Sequence, residues 1–142
     1  MIQRIQTVWL LLAGLLAVAA FFASFYSGVP VDMATTNQPP QELTAQSSWL
    51  LTILTGLVGL TSFVLIFLYK DRRLQLLFTL ANALAAIGLI FAFYGETSRF
   101  ARGQGSLDLT SIVVFAIPVF LFLAARGIQQ DEKLVRSLNR LR

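Results

Sequence analysis

The chain has 142 residues, of which 56% belong to the hydrophobic set AVILMFWYC and only 13% are charged. A soluble protein of this size needs more charge to cover its surface, so the composition excludes an ordinary soluble domain and predicts an integral membrane protein. Cysteine and histidine are absent, which excludes disulfides and removes the usual protein ligands of zinc and haem.

Four uncharged, apolar stretches follow one another along the chain. A helix needs roughly 20 mostly apolar residues to cross a hydrocarbon core about 30 Å thick. The sequence predicts membrane-spanning helices at residues 5–26, 49–69, 74–94 and 109–125. The fourth stretch is short for a span, because Asp108 and Arg126 bound it closely.

Small residues within these stretches predict where the helices pack against one another. Lipid supplies no hydrophobic force between helices, so close approach through small side chains becomes important. The residues expected at helix contacts are Gly14, Ala17, Gly56, Gly59, Ala81, Asn82, Ala85 and Gly88. Asn82 is the most polar side chain inside any predicted span, and we expect it to make an interhelical hydrogen bond. Pro118 should bend the fourth helix, and both a static kink and a hinge are compatible with it.

The basic residues concentrate on one side of the predicted membrane. The net charge of +4 comes from 11 basic and 7 acidic residues. Nine of the basic residues lie before the first predicted span, between the second and third, or after the fourth. The other two, Arg99 and Arg102, lie between the third and fourth. Because the cytoplasmic flanks of membrane helices carry an excess of Lys and Arg, this distribution predicts that both termini are cytoplasmic.

Residues 126–142 have the pattern of a short, basic, amphipathic helix. Ile128, Leu134 and Val135 recur at helical spacing, with basic side chains on other faces. Such a helix after a span typically rests on anionic headgroups, with a protein partner as the alternative. Nucleic acid is disfavoured, because the membrane already accounts for the charge. The expected contacts of this cytoplasmic face are Lys70, Arg72, Arg73, Arg126, Lys133, Arg136, Arg140 and Arg142.

The predicted spans contain no Asp, Glu, Lys or Arg. Catalysis or ion coupling inside a membrane generally requires an ionisable group in the interior. Serines are present, but without histidine or a buried lysine nothing would activate them. We therefore expect a protein that is not an enzyme, with no catalytic residue, no cofactor and no metal site, whose helices bury no group able to gain or lose a proton.

Three segments carry a resemblance to a known family. The chain begins MIQRIQTVWLLLA at residues 1–13, contains YKDRRLQ at residues 69–75 and ends IQQDEKLVRSLNRLR at residues 128–142. These segments resemble the start, the internal basic turn and the tail of the bacterial domain-of-unknown-function 4293 family, over essentially the whole chain. Asn139 stands where family tails usually have Asp. The resemblance implies a small four-span protein of the Bacteroidota inner membrane and implies no activity, since the family has no catalytic or binding residues to carry over.

Together these features predict an all-α protein, a single membrane domain over residues 1–142 that forms a four-helix bundle with a cytoplasmic amphipathic C-terminal helix. We expect a non-catalytic subunit or accessory component of a larger inner-membrane complex, which contacts anionic lipids and other membrane subunits through its basic cytoplasmic face. The alternative is a small homo-oligomeric transporter, channel or lipid-binding protein, in which a path is lined by Thr52, Thr55, Asn82 and Ser111.

Overall fold

Four α-helices make up most of the protein in a computed structural model that describes residues 3–33 and 39–140. They are α1 (Gln3–Ala20), α2 (Trp49–Phe67), α3 (Arg72–Glu96) and α4 (Ile112–Arg140). The main helix contacts run α1 to α2, α2 to α3, α3 to α4 and α4 back to α1. The helices therefore form a four-helix bundle, which confirms the predicted mostly helical architecture.

Three of the four helices meet the requirements for a membrane span. By length and hydropathy, α2, α3 and α4 could each cross a bilayer, whereas the apolar part of α1, Ile5–Ala20, is shorter. The sequence predicted that the first helix continues to Tyr26. The helix ends earlier because the chain turns into extended structure, where the Phe25 N–H donates to the Leu43 carbonyl at 2.7 Å.

A small antiparallel sheet, which the sequence did not predict, closes one end of the bundle. Its strands are β1 (Tyr26–Pro30), β2 (Gln41–Leu43) and β3 (Phe100–Leu107), in the order β2-β1-β3. Gly28 and Gly105 face each other across β1 and β3. A Cβ on Gly28 would lie 3.0 Å from the Gly105 Cα, and one on Gly105 would lie 2.4 Å from the Tyr26 ring. A larger residue at either position would crowd the neighbouring strand, so the two glycines favour the close approach of β1 and β3. We call this region the sheet end.

Short 3₁₀ segments join the larger elements. They are Val31–Met33, Ala45–Ser47, Thr97–Arg99 and Leu109–Ser111. The core between the helices is apolar, with Leu10, Val58 and Leu89 fully buried. At the sheet end Phe25 stacks on Phe93 with ring centroids 4.7 Å apart. This contact attaches the segment after α1 to the end of α3.

Helix α4 continues without interruption through most of the segment that was predicted as a separate tail. It runs Ile112–Arg140, with Pro118 buried inside it. Ile128 is fully buried, because the start of α1 packs alongside this part of α4, with Gln6 against Gly127. Residues 126–140 therefore form the second half of α4 in place of an independent helix, and Arg142 lies outside the described residues.

Candidate functional site at the basic end of the bundle

The small residues predicted on the first two helices lie at the contact between α1 and α2. A Cβ on Gly14 would meet the Phe63 ring at 2.9 Å, and one on Gly59 would lie 3.1 Å from the Ala17 Cβ. Gly14, Ala17 and Gly59 are buried, and Gly56 is half-buried. The lack of larger side chains here allows the two helices to pack closely.

The small residues predicted on α3 lie differently. Ala81 and Gly88 are exposed and Ala85 is half-buried. Nothing lies within 4 Å of a Cβ built on Gly88. The face of α3 that packs in the bundle is displaced by one position and carries Asn82, Ala83, Ala86, Leu89 and Phe93. Periodicity identifies a stripe of small residues, but on a helix that is apolar all round it does not show which stripe faces the neighbours.

Asn82 connects α3 to α2 through a buried hydrogen-bond network. Its Nδ2 donates to the Ser62 Oγ at 2.9 Å and to the Val58 carbonyl at 3.2 Å. The Ser62 hydroxyl in turn donates to the Val58 carbonyl at 2.8 Å. Within the described part of the chain, the Asn82 Oδ1 is buried without a hydrogen-bond partner. The amide therefore acts as an interhelical cross-link through its nitrogen.

Most of the basic side chains lie at the end of the bundle opposite the sheet. Here α1 begins, the short turn between α2 and α3 lies, and the second half of α4 passes. We call this region the basic end, with side chains Lys70, Arg72, Arg73, Arg126, Lys133 and Arg136. All six are exposed except Arg72, which is half-buried. The side chain of Arg140 and all of Arg142 lie outside the described part of the protein.

A buried carboxylate lies beneath this basic surface. Asp131 on α4 is 5% exposed, and its carboxylate accepts a hydrogen bond from the equally buried Gln6 Nε2 on α1. Arg72 at the start of α3 donates from Nη1 to the Asp131 main-chain oxygen at 3.3 Å. The expectation that the helices bury no group able to gain or lose a proton is wrong, because α4 extends past the predicted span. The spacing of Ile128 and Asp131, three residues apart on one helix face, is the sequence signal that could have found it.

A groove of about 500 Å³ opens at the basic end between the α2–α3 turn and α4. Its lining residues are Lys70, Asp71, Arg72, Arg73, Leu74, Glu132, Val135 and Arg136. Four of these are basic and two acidic, which gives the lining a formal net charge of +2. We call this feature the basic groove. It brings together four of the predicted contact residues, whereas Arg126 and Lys133 lie outside its lining.

Glu132 organises the wall of the basic groove. Its Oε1 accepts from Arg136 Nη2 at 2.8 Å and from Arg73 Nε at 3.3 Å, so one carboxylate holds guanidinium groups from α3 and α4. The side chains of Arg73 and Arg136 are well exposed, at 79% and 63%. Each guanidinium carries five N–H donors, and most of these stay available to an anion. The single Glu132 carboxylate thus orients both guanidinium groups and balances only one of their two positive charges.

The sheet end has the opposite charge character. Asp108 accepts hydrogen bonds from the hydroxyls of Ser24 and Ser27, which ties the segment after α1 to the start of α4. Arg99 is paired with Glu96 at 2.6 Å. Among the described residues, no group of three or more Asp or Glu side chains is placed to hold a metal ion.

The comparison with known proteins gives a family. The chain matches the family model described as "Domain of unknown function (DUF4293)" over residues 2–141, which include all four helices and the sheet. No curated protein and no solved structure matches it. The chain therefore belongs to the DUF4293 family.

Proposed function

We propose that this protein is a non-catalytic, four-span protein of the bacterial inner membrane, with both termini in the cytoplasm. It serves as a subunit or accessory component of a larger membrane complex and docks through its basic end. The observation that carries this proposal is the separation of charge between the two ends. The described side chains of the basic end comprise six basic and three acidic groups, whereas the sheet end has two basic and four acidic groups.

The outer faces of the helices support a membrane location. Large apolar side chains are exposed along the middle of the bundle, among them Leu60, Leu84 and Phe91 at 68%, 70% and 73%. Exposure of such an apolar surface to water is unfavourable, whereas its contact with lipid is not. Trp49 is exposed at the start of α2 and Tyr69 is exposed two residues beyond its end. Aromatic rings at such positions are typical of membrane interfaces.

The position of α1 supports its role as a fourth span despite its shorter apolar segment. Gln6 binds Asp131 at the basic end, and Ser24 binds Asp108 at the sheet end. The segment 6–24 thus extends along the bundle from one end to the other. Along this length α1 packs against both α2 and α4, as a fourth span of the bundle would.

The last turns of α4 provide the surface on which a partner can dock. Beyond the buried Asp131, Lys133, Leu134, Val135 and Arg136 are all exposed. This mixture of cationic and apolar side chains suits an acidic, membrane-adjacent protein surface or anionic headgroups. We propose that Arg126 and Lys133, which lie outside the basic groove, contact the partner subunit.

A transporter or channel is the second candidate, and it needs a polar path between the helices. The polar side chains predicted to line one are engaged in the bundle itself: Asn82 binds Ser62, and the Thr52 hydroxyl donates to the Ala45 carbonyl at 2.9 Å. Thr55 Oγ1 and Asn82 Oδ1 remain as candidates, since both are buried without a hydrogen-bond partner in the described residues. A substrate flux in reconstituted vesicles that Asn82→Leu abolishes would favour this alternative.

Extraction of the tagged full-length protein into native nanodiscs, followed by mass spectrometry, tests the docking proposal. We expect a defined set of other membrane proteins to co-purify. In the double variant Arg126→Gln/Lys133→Gln, about 1 kcal/mol lost per charge should lower their recovery about tenfold or more. Arg102→Gln removes an exposed charge at the sheet end and serves as the control. Recovery of the chain alone under several mild conditions, or equal recovery from both variants, would contradict the proposal.

A further inference from the structure

We infer that the basic groove is a binding site for one anionic phospholipid, whose phosphate lies among Lys70, Arg72 and Arg73. The inference rests on the proposed orientation, which turns the basic end toward the negatively charged surface of the cytoplasmic leaflet. Such a site has a polar half and an apolar half and holds a single lipid, unlike the general attraction of a basic surface to the membrane.

The polar half presents cations that the protein leaves available. Lys70 has no hydrogen bond or ion pair to any described residue, and Arg72 makes one hydrogen bond, to the Asp131 main chain. Arg73 shares the Glu132 carboxylate with Arg136, so this triad keeps a positive charge. These donors come from the α2–α3 turn and the first turn of α3, where the helix dipole also favours an anion.

The apolar half points to a lipid as the source of the phosphate. Leu74 and Val135 line the groove and are 48% and 41% exposed. From Leu74 an exposed apolar stripe continues along α3 through Leu77 and Phe78, at 63% and 47%. These positions follow the i, i+3, i+4 spacing of one helix face. A headgroup held by the cations would thus have its acyl chains on the lipid-facing surface of α3, whereas a soluble phosphate gains nothing from that surface.

Native mass spectrometry of the purified full-length protein tests the site. The protein is incubated in detergent with phosphatidylglycerol or with phosphatidylcholine of the same acyl chains, and lipid-bound species are counted. We expect one phosphatidylglycerol retained in preference to phosphatidylcholine. The variant Lys70→Gln/Arg73→Gln removes two charges from the groove and should lower the affinity about tenfold or more. Arg126→Gln/Lys133→Gln removes one lysine and one arginine at the same end but outside the groove, and should retain the lipid within about twofold.

Several results would overturn the inference. Equal loss of phosphatidylglycerol in both double variants would show diffuse surface attraction in place of a site. Retention of phosphatidylcholine at the same level would show that the charge of the headgroup does not determine binding. Competition by inorganic phosphate as effectively as by the lipid would indicate a soluble-anion site. A matching melting temperature of the groove variant and the wild-type protein ensures that unfolding does not explain its loss of lipid.

The outcomes also separate this inference from the docking proposal. If the groove variant loses lipid while no partner co-purifies with the wild-type protein, the lipid site stands and the docking proposal fails. If partners co-purify with the wild-type protein and the lipid shows no preference for the groove, the inference fails alone. The two double variants change different residues. Lys70→Gln/Arg73→Gln should reduce lipid binding, whereas Arg126→Gln/Lys133→Gln should reduce the recovery of partners and leave lipid binding nearly unchanged.

Discussion

Asp131 on α4 hydrogen-bonds Gln6 on α1 across 125 positions of sequence, in an environment where both side chains are almost fully buried. Arg72 joins the same point from α3 by binding the Asp131 main chain. Three helices of the bundle are thus connected at the basic end by a few polar contacts. A buried charge that loses its hydrogen-bond partner lowers the stability of the folded state. This contact should therefore contribute to the stability of the whole bundle.

Removal of the Gln6 amide should destabilise the protein. In Gln6→Ala the Asp131 carboxylate stays buried without its side-chain donor, which should lower the free energy of unfolding by about 1–3 kcal/mol. Asp131→Asn keeps an acceptor for Gln6 without the charge and should cost less. Thermal unfolding in detergent measures both, with the exposed Gln129→Ala on α4 as the control. A Gln6→Ala variant as stable as the control would contradict the structural role of the pair.

Loss of the Asn82 cross-link should weaken the contact between α2 and α3. In Asn82→Leu two hydrogen bonds to Ser62 and Val58 disappear, at a cost of about 0.6–2 kcal/mol. Ala81→Leu changes the adjacent, exposed residue and should leave stability nearly unchanged. A double-mutant cycle with Ser62→Ala isolates the coupling between the two side chains. Independent effects of Asn82→Leu and Ser62→Ala would show that the hydrogen bond between them contributes nothing.

The helical part of the fold could be predicted from the sequence, whereas the sheet could not. Long uncharged apolar stretches are required to cross a bilayer, and α2 begins and α3 ends within a few residues of the predicted positions. Hydropathy does not distinguish an apolar strand from the end of a helix, so Tyr26 was placed in the first span. The strand forms because Tyr26 pairs with Leu43 and Leu107. These partners are distant in sequence and leave no local signal.

The sequence predicts which basic residues belong to the candidate site, but it does not predict how they are arranged. The concentration of Lys and Arg around the α2–α3 turn is visible in a run of four residues, 70–73. The sequence does not show that Glu132 holds Arg73 and Arg136 together, because that contact depends on the packing of α4 against α3. The buried position of Asp131 was missed for the same reason, since it requires α1 to extend alongside the second half of α4.

Leucine substitutions at two glycines should distinguish the contact between α1 and α2 from the exposed face of α3. In Gly59→Leu the new side chain meets the Ala17 Cβ, which lies 3.1 Å from the Cβ position, and overpacking should cost about 1–3 kcal/mol. Gly88→Leu places the same side chain where nothing lies within 4 Å. Because glycine is a poor helix former, this variant should be neutral or more stable by about 1 kcal/mol. Equal destabilisation by the two variants would mean that the exposed face of α3 is a contact surface.

The absence of cysteine allows the proposed orientation to be measured directly with single-cysteine variants. Lys133→Cys is exposed at the basic end, and Arg102→Cys is exposed at the sheet end. If the excess of positive charge places the basic end in the cytoplasm, a membrane-impermeant maleimide added to intact spheroplasts should label Arg102→Cys. Lys133→Cys should react only after the membrane is opened. Leu84→Cys, on the apolar outer face of α3, should resist the reagent in both conditions, since lipid covers it. Labelling of Lys133→Cys in intact spheroplasts would indicate the opposite orientation, in which the basic groove lies at the other leaflet.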